Sequence, residues 1–230
     1  MHANSRPVTS SQPGIHRQLA ACVARHAICT FQKPYADYNR RAFDHSMAVW
    51  QQASMPPLIL DTGCGVGLST RHLALAFPTH FVIGVDRSAD RLARNREWPY
   101  PMPENMLLVR ADLIDYWRLL HDAGVHLARH YMLYPNPWPK AGQLGRRWHA
   151  HPVFPTAVAL GGVFECRSNW PVYVAECAAA LAQLTGREIT ARPYFPALAM
   201  TPFEQKYLAS GHALWRCVMG GGTDEAPLLA

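Results

Sequence analysis

LILDTGCGVGLST, residues 58–70, is the most informative segment of this 230-residue chain. An apolar run leads into a glycine-rich turn and then into a helical stretch, which predicts a buried β-strand, a turn and a helix in that order. Gly63, Gly65 and Gly67 permit a tight turn and let a ligand approach the backbone at the helix N-terminus. Such turns occur in many loops, so the pattern alone does not identify the ligand.

An acidic residue closes each of three successive strands in this part of the chain. Asp61 precedes the glycines, Asp86 ends the strand HFVIGVD, and Asp112 follows the strand MLLVR. Each acid alone could be a helix N-cap or a solvated loop residue, but an acid after the second strand also suits ribose hydroxyls, as in dinucleotide sites. NAD is disfavoured because the spacing is GxGxG and because Asp61 would repel a pyrophosphate. The same carboxylate would attract the α-ammonium of S-adenosylmethionine, and Asp112 would lie near its adenine amino group, so S-adenosylmethionine is the predicted cofactor.

Short apolar runs alternate with helical stretches from residue 57 onward, a pattern typical of βαβ units around a parallel sheet. The predicted strands span residues 58–61, 80–86, 106–110, 130–135, 163–168, 187–192 and 213–219. The predicted helices span residues 15–27, 38–52, 68–77, 88–98, 114–121, 147–160 and 172–184. Together they predict a Rossmann-like α/β fold with a seven-stranded, mostly parallel sheet and helices on both faces.

The composition, 49% hydrophobic and 17% charged, is that of a globular protein. No apolar run approaches the roughly 20 residues that span a bilayer, and the polar N-terminus has no signal-peptide core, so we expect a cytoplasmic protein without a membrane segment. The six cysteines include no CxxC pair, which favours reduced thiols and no metal site. A monomer is the favoured oligomeric state. The expected parts are a disordered tail (1–14), a basic helical lead-in (15–56), the catalytic domain (57–219) and a flexible tail (220–230).

The charge distribution favours a polyanionic partner. The formal net charge is +6, and only Lys33, Lys140 and Lys206 of the 22 basic residues are lysines. Arginine binds phosphates and bases bidentately, so an arginine-rich surface suits nucleic acid. A genomic bias toward GC-rich codons is the alternative explanation for the excess of arginine.

YPNPWPK, residues 134–140, is the second informative segment. Three prolines fix an extended loop at the carboxyl end of the predicted sheet, where ligands bind in open α/β folds. Asn136 offers an amide, Trp138 a stacking face and Lys140 a cation, a combination that a purely structural loop does not need. Cations and aromatic rings continue in RRWH (146–149) and RSNW (167–170). Such a cluster favours phosphate contacts and base stacking over its alternative, the solvated start of a helix.

Five motifs occur in the order and spacing of a known enzyme family. They are LDTGCGVGLSTRHLALAFP, IGVDRS, YPNPWPK followed by RRW, LGGVFECRSNW, and TPFEQKYLASGHALW in a proline-rich loop near the C-terminus. Over about residues 57–218 the chain resembles the bacterial tRNA (guanine-N(7)-)-methyltransferases. The resemblance implies a class I methyltransferase fold, S-adenosylmethionine as the cofactor, tRNA as the partner and guanine N(7) as the methyl acceptor.

The resemblance also implies roles for individual residues. The residues implied to bind the cofactor are Asp61, Gly63, Gly65, Gly67, Asp86, Arg87, Asp112 and Asn136. The residues implied at the methyl-transfer centre are Asn136 and Asn169. The RNA and its target nucleoside would be bound by Lys140, Arg146, Arg147, Asn169, Trp170, Thr201 and Glu204, the last as a hydrogen-bond acceptor for the base.

The chain departs from the family at Asn136 and Asn169, where aspartate is usual, and it lacks the family's basic N-terminal opening. Guanine N(7) has a free lone pair, so its methylation needs alignment and water exclusion and no general base. A carboxylate accepts both Watson–Crick hydrogens of guanine, whereas an asparagine could read guanine or adenine. Two alternatives therefore stay open: a diverged methyltransferase of another nucleobase or a small molecule, and a non-catalytic RNA-binding relative. The intact set of acids argues against the latter.

Overall fold

The computed structural model describes residues 4–94 and 101–220. Residues 1–3 of the tail expected at 1–14, residues 221–230 of the tail expected at 220–230 and the end of the helix expected at 88–98 lie outside these residues. Within the described residues, no helix is both long enough and apolar enough to cross a membrane.

Within residues 4–94 and 101–220, seven strands form one sheet, as predicted. They are β1 (Leu58–Thr62), β2 (Phe81–Asp86), β3 (Met106–Arg110), β4 (Arg129–Leu133), β5 (Val163–Ser168), β6 (Arg192–Tyr194) and β7 (Leu214–Met219). Their order is β3-β2-β1-β4-β5-β7-β6. Strands β1 to β5 run parallel, and β7 is antiparallel to both β5 and β6. The strand order reverses between β1 and β4, so the carboxyl ends of these two strands form the crevice where open α/β sheets bind ligands.

Helices cover both faces of the sheet. They are α1 (Leu19–Ile28), α2 (Asp37–Gln52), α3 (Leu68–Ala76), α4 (Ala89–Ala93), α5 (Leu113–Asp122), α6 (Phe154–Ala159), α7 (Pro171–Thr185) and α8 (Pro202–Ala209). Alternation along β1 assigns its side chains to the two faces: Leu58 and Leu60 belong to a core with α2 and α5, while Ile59 belongs to a core with Leu73 of α3. Strands buried on both faces appear in the sequence as continuous apolar runs, which explains why they were predicted correctly.

Three predicted elements were wrong. The strand expected at 187–192 lies instead at Arg192–Tyr194. The segment expected as a proline-rich loop is the helix α8, with Thr201 as its N-cap and Pro202 in its first turn, where proline needs no backbone donor. The helix expected at 147–160 begins only at Phe154, after two 3₁₀ helices, Ala141–Arg146 and Trp148–Ala150.

The N-terminal segment, residues 4–14, packs against the domain, so the expectation of a disordered tail was wrong for these residues. Ser5 N donates a hydrogen bond to Ser210 Oγ over 3.1 Å, and Ser10 Oγ donates one to the carbonyl of Pro139 over 2.5 Å. The side chain of Gln12 is buried against charged groups of the domain. Polar contacts therefore order a segment whose low apolar content predicted disorder.

Candidate active site

The glycine turn after β1 is hydrogen-bonded to the end of β2. Gly63 N and Cys64 N donate to the carbonyl of Val85 over 2.8 and 3.1 Å, and Gly65 N donates to Asp86 Oδ2 over 3.0 Å. Gly65 has φ +60°, in the left-handed region that glycine tolerates. A Cβ added at Gly63 or Gly65 would meet nothing within 4 Å. The turn is thus rigidly held and open on the side that a side chain would fill.

Asp86, expected to bind ribose, also organises this turn. Its side chain is buried, Oδ1 accepts a hydrogen bond from Ser88 N over 2.8 Å, and Oδ2 accepts from Gly65 N and from Arg91 Nη1 over 3.3 Å. A carboxylate offers about four acceptor positions, so these contacts leave room for a hydroxyl. The adjacent Arg87 is exposed.

Asp61 combines burial with an incomplete set of partners. Its Oδ2 accepts hydrogen bonds from Ser69 Oγ over 2.6 Å and from Thr70 Oγ1 over 2.7 Å, while Oδ1 has no partner among the described residues. Burial raises the pKa of Asp61 to about 6, and the two hydroxyl hydrogen bonds partly oppose this rise. Because an unpaired buried carboxylate oxygen is costly, it fits a cationic ligand group. The α-ammonium of S-adenosylmethionine is such a group.

Asp112 lies at the N-terminus of α5 and caps it. Its Oδ1 accepts a hydrogen bond from Ile114 N over 2.9 Å. Its backbone N donates to Oδ1 of the buried Asn39 over 2.9 Å, and Asn39 Nδ2 donates to Asp115 Oδ2 over 2.6 Å. Asn39 thereby connects α2 to this edge of the site. Sequence reasoning missed Asn39, since an asparagine in a polar helix carries no signal of burial.

The loop Tyr134–Lys140 follows β4, next to the glycine turn of the adjacent β1. Tyr134 and Trp138 have φ +52° and +46°, a conformation that non-glycine residues seldom adopt and that clusters at functional sites. Asn136 is exposed, and its Oδ1 accepts a hydrogen bond from Trp138 N over 3.4 Å, closing an Asx-type turn. The surrounding structure must stabilise this conformation.

Arg147 stabilises the conformation of the loop Tyr134–Lys140 from inside the protein. The expectation that Arg147 lies on an RNA-binding surface was therefore wrong. Its side chain is 0% exposed. Nη1 donates to Glu176 Oε2 over 2.6 Å, Nη2 to Gln12 Oε1 over 3.0 Å, and Nε to the carbonyl of Trp138 over 3.2 Å. One guanidinium thus joins the loop, α7 and the N-terminal segment. The exposed neighbour, Arg146, lies over the Trp138 ring at 4.8 Å.

Glu176 is the anionic centre of this network. Burial alone would raise the pKa of its carboxyl group, but the hydrogen bond and charge of His149 and the hydrogen bond of Arg147 lower the pKa to about 2. The carboxylate is therefore ionised throughout the neutral range. It also accepts hydrogen bonds from Gln12 Nε2 over 2.6 Å and from His16 N over 2.9 Å, which fixes the N-terminal segment to α7.

Two further residues expected to contact the nucleoside are buried inside the protein. Glu204 is 0% exposed, and its carboxylate accepts from Tyr134 Oη over 2.7 Å, Arg167 Nη1 over 3.3 Å and Met200 N over 2.5 Å. An exposed acceptor for a base was therefore the wrong expectation for Glu204. The Trp170 ring belongs to the core, with the Arg147 guanidinium 4.9 Å from its centroid.

The other residues expected to bind the RNA or its nucleoside differ in exposure. Lys140 and Arg146 are exposed, and Asn169, directly after β5, is half-buried with Nδ2 3.1 Å from His212 Nδ1. Thr201 is buried, and its Oγ1 accepts a hydrogen bond from Glu204 N over 2.9 Å. In the described part of the chain, no group of three or more His, Cys, Asp and Glu residues is arranged to hold a metal ion.

Known proteins share this sequence pattern. A family model described as "Putative methyltransferase" matches residues 55–217. The tRNA (guanine-N(7)-)-methyltransferase of Bordetella pertussis is 30% identical over 192 residues, covering 77% of this chain and 71% of that protein. The enzyme of the same name from Treponema pallidum is 29% identical over 176 residues, covering 73% of this chain and 68% of that protein.

Solved structures share the fold at low sequence identity. The 16S rRNA methyltransferase KamB superposes with a TM-score of 0.55 at 15% identity, over 81% of this chain and 94% of that one. An antibiotic-related methyltransferase gives a TM-score of 0.54 at 13% identity, over 83% and 97%. The predicted Rossmann-like α/β methyltransferase fold is confirmed.

Proposed function

Because this chain belongs to the tRNA (guanine-N(7)-)-methyltransferase family, we propose that it methylates N(7) of a guanine in tRNA. The chain is an S-adenosylmethionine-dependent methyltransferase. The observation that carries the proposal is the braced loop Tyr134–Lys140, which adjoins the glycine turn where the strand order reverses between β1 and β4. This arrangement lets one crevice accept a methyl donor on one side and a base on the other.

Three acids would hold the cofactor, which supplies the electrophilic methyl group when bound. Asp61 would pair with its α-ammonium through the unpartnered Oδ1. Asp86 would accept its ribose hydroxyls while continuing to hold Gly65 N. Asp112 would face the adenine with the carboxylate oxygen that does not cap α5. The exposed side chain of Arg87 would also belong to this proposed cofactor site.

Positioning is the main catalytic task left to the protein. The N(7) lone pair of guanine is free at neutral pH, so no residue has to remove a proton before methyl transfer. Asn136 would orient the base. The Asx-type turn and the hydrogen bond from Arg147 to the carbonyl of Trp138 hold the backbone of the loop in place. Methyl transfer leaves a positive charge on the base, which the neutral Asn136 stabilises less than a carboxylate would.

Exposed cations would bind the RNA backbone. Lys140 and Arg146 flank the loop, and Trp138, half-buried beneath Arg146, provides an aromatic face. Further exposed arginines lie just before α1 and on the first two helices: Arg17, Arg25, Arg40 and Arg41. Phosphate contacts from such groups position a nucleic acid without reading its sequence.

Product analysis tests the proposal. Purified protein is incubated with bulk tRNA and methyl-labelled S-adenosylmethionine, and the digested RNA is resolved into nucleosides. We expect label in 7-methylguanosine, and none with the variant Asp86→Ala at a cofactor concentration that saturates the parent. Label in another nucleoside would favour a different base. Cofactor binding without any label in RNA would favour a small-molecule acceptor, and a protein that binds no cofactor would be non-catalytic.

A further inference from the structure

The side-chain amide of Asn169 lies at the carboxyl end of β5, where this chain departs from the family's aspartate. Its Nδ2 lies 3.1 Å from Nδ1 of His212, and within the described part of the chain its Oδ1 accepts no hydrogen bond. An amide has a donor end and an acceptor end, and the end that faces the ligand decides which base edge it can read. The orientation of this amide therefore bears directly on the substrate.

The second ring nitrogen of His212 determines that orientation. His212 Nε2 lies 3.1 Å from the backbone carbonyl oxygen of Ser5. A carbonyl oxygen can only accept, so Nε2 carries the hydrogen, and Nδ1 of a neutral imidazole is then an acceptor. Nδ1 accepts from Asn169 Nδ2. The reversed amide would place Oδ1 against the lone pair of Nδ1, which is repulsive.

The imidazole ring is itself held on its face and at its edge. It stacks on the Tyr207 ring of α8, with centroids 5.4 Å apart and planes 12° apart. Ser5, whose carbonyl oxygen accepts the hydrogen bond from Nε2, in turn donates a hydrogen bond from its backbone N to Ser210 Oγ over 3.1 Å. Thus the packing of residues 4–14 against the domain fixes one tautomer of His212.

We propose that His212 is a positioning residue that holds the Asn169 amide with its acceptor, Oδ1, directed to the target base. The inference rests on the proposed function, because it requires Asn169 to face the nucleoside. Guanine presents N–H donors at N1 and at its 2-amino group, so an acceptor at Asn169 matches the same edge that a carboxylate would bind, without the charge. The asparagine therefore offers a hydrogen-bond acceptor to the same guanine donors as an aspartate would, and it binds them more weakly because it carries no charge.

Nitrogen NMR tests the tautomer without any RNA. In protein labelled with ¹⁵N-histidine at neutral pH, two-bond N–H correlations separate protonated from unprotonated ring nitrogens. We expect His212 Nδ1 to be unprotonated and Nε2 protonated. In the variant Asn169→Asp the new carboxylate can only accept, so both ring nitrogens should carry hydrogen, while Asn136→Asp, the matched control, should leave His212 unchanged. An Nδ1–H tautomer in the parent, or an unchanged ring in Asn169→Asp, would overturn the proposal.

Two substitutions at His212 separate positioning from packing. His212→Asn keeps an acceptor near the place of Nδ1 but loses the stacked ring, whereas His212→Phe keeps the ring and loses the acceptor. We expect His212→Phe to lower kcat/KM for tRNA by about three- to tenfold, mainly through KM, and His212→Asn to lower it by about twofold or less. Binding of S-adenosylhomocysteine should not change in either variant. The opposite order of the two variants would show a packing role only. A parent without tRNA activity would contradict the proposed function, while the NMR result would still decide the tautomer.

Discussion

Among the acids of the candidate cofactor site, Asp61 combines burial with a carboxylate oxygen that has no partner among the described residues. One of its carboxylate oxygens is held by Ser69 and Thr70, and the other is buried without a partner among the described residues. Its pKa is raised to about 6, first because burial disfavours the charged form. The charge of this group therefore changes close to neutral pH, where a bound cation would keep it ionised.

Affinity for S-adenosylhomocysteine should consequently depend on pH. We expect it to be constant above the pKa of about 6 and to fall by about tenfold for each pH unit below it, because the protonated Asp61 loses the charge that pairs with the ligand's ammonium. Calorimetry between about pH 5 and pH 8 measures this. The control Asp61→Asn should bind more weakly, with an affinity that does not change over the same range. A parent with the same flat profile would show that Asp61 does not contact the ammonium.

Asn136 and Asn169 should not be simple losses of function. Pro135, Trp138 and Lys140 are in place around Asn136, and neither asparagine has to remove a proton. We expect the double variant Asn136→Asp, Asn169→Asp to exceed the parent by less than tenfold on bulk tRNA, about 1.4 kcal/mol of barrier. Single-turnover rates measure this. A larger gain would show that the two asparagines impair the reaction of the ancestral enzyme, which this protein would then still perform.

Among the elements, the loop Tyr134–Lys140 depends on a charged network that lies inside the protein. Arg147 bonds to the carbonyl of Trp138 and to Glu176 of α7. Gln12 bonds to both charged side chains from the N-terminal segment. Three segments far apart in the chain thus share one buried ion pair, so the loop and the N-terminal segment should be stabilised or lost together.

Substitutions at the adjacent Arg147 and Arg146 should therefore affect different properties: stability for Arg147 and RNA binding for Arg146. Arg147→Met leaves Glu176 buried without its guanidinium partner and should lower the free energy of unfolding by about 3–5 kcal/mol. Arg146→Ala removes an exposed side chain and should change it by less than about 0.5 kcal/mol while weakening tRNA binding. Denaturant unfolding and RNA binding on the two variants check this. Equal stabilities of the two variants would contradict the bracing role of Arg147.

At the scale of the whole molecule, sequence patterns predict the central sheet better than they predict the site. Strands β1, β2 and β3 are mainly apolar runs, whereas β6 is a three-residue strand that starts with the exposed residues Arg192 and Pro193. Local sequence does not distinguish the buried Arg147 from the exposed Arg146, because the partners that bury Arg147, Gln12 and Glu176, are 135 and 29 residues away. The turn glycines and strand-end acids were predictable because their spacing follows from the backbone path itself.

Binding of tRNA should involve exposed arginines outside the loop as well. Replacing Arg17 and Arg41 with alanine should lower the slope of log affinity against log salt by roughly 1.4–1.8, since each phosphate contact contributes roughly 0.7–0.9 to the slope. Arg187 is exposed near Gly220, which lies beside Gly162 at the start of β5, the opposite edge of the sheet from the site. The control Arg187→Ala should leave the slope unchanged. A parent with no salt dependence would rule out a basic RNA-binding surface.

Whether this protein methylates guanine N(7) in tRNA is best decided by a restoration experiment. Total tRNA is prepared from a strain that lacks the gene, and its nucleosides are quantified by mass spectrometry before and after incubation with the purified protein and S-adenosylmethionine. We expect less 7-methylguanosine in the deletion strain than in the parent strain, and its return on incubation with the protein but not with Asp86→Ala. An unchanged 7-methylguanosine content both in the deletion strain and after incubation would contradict it.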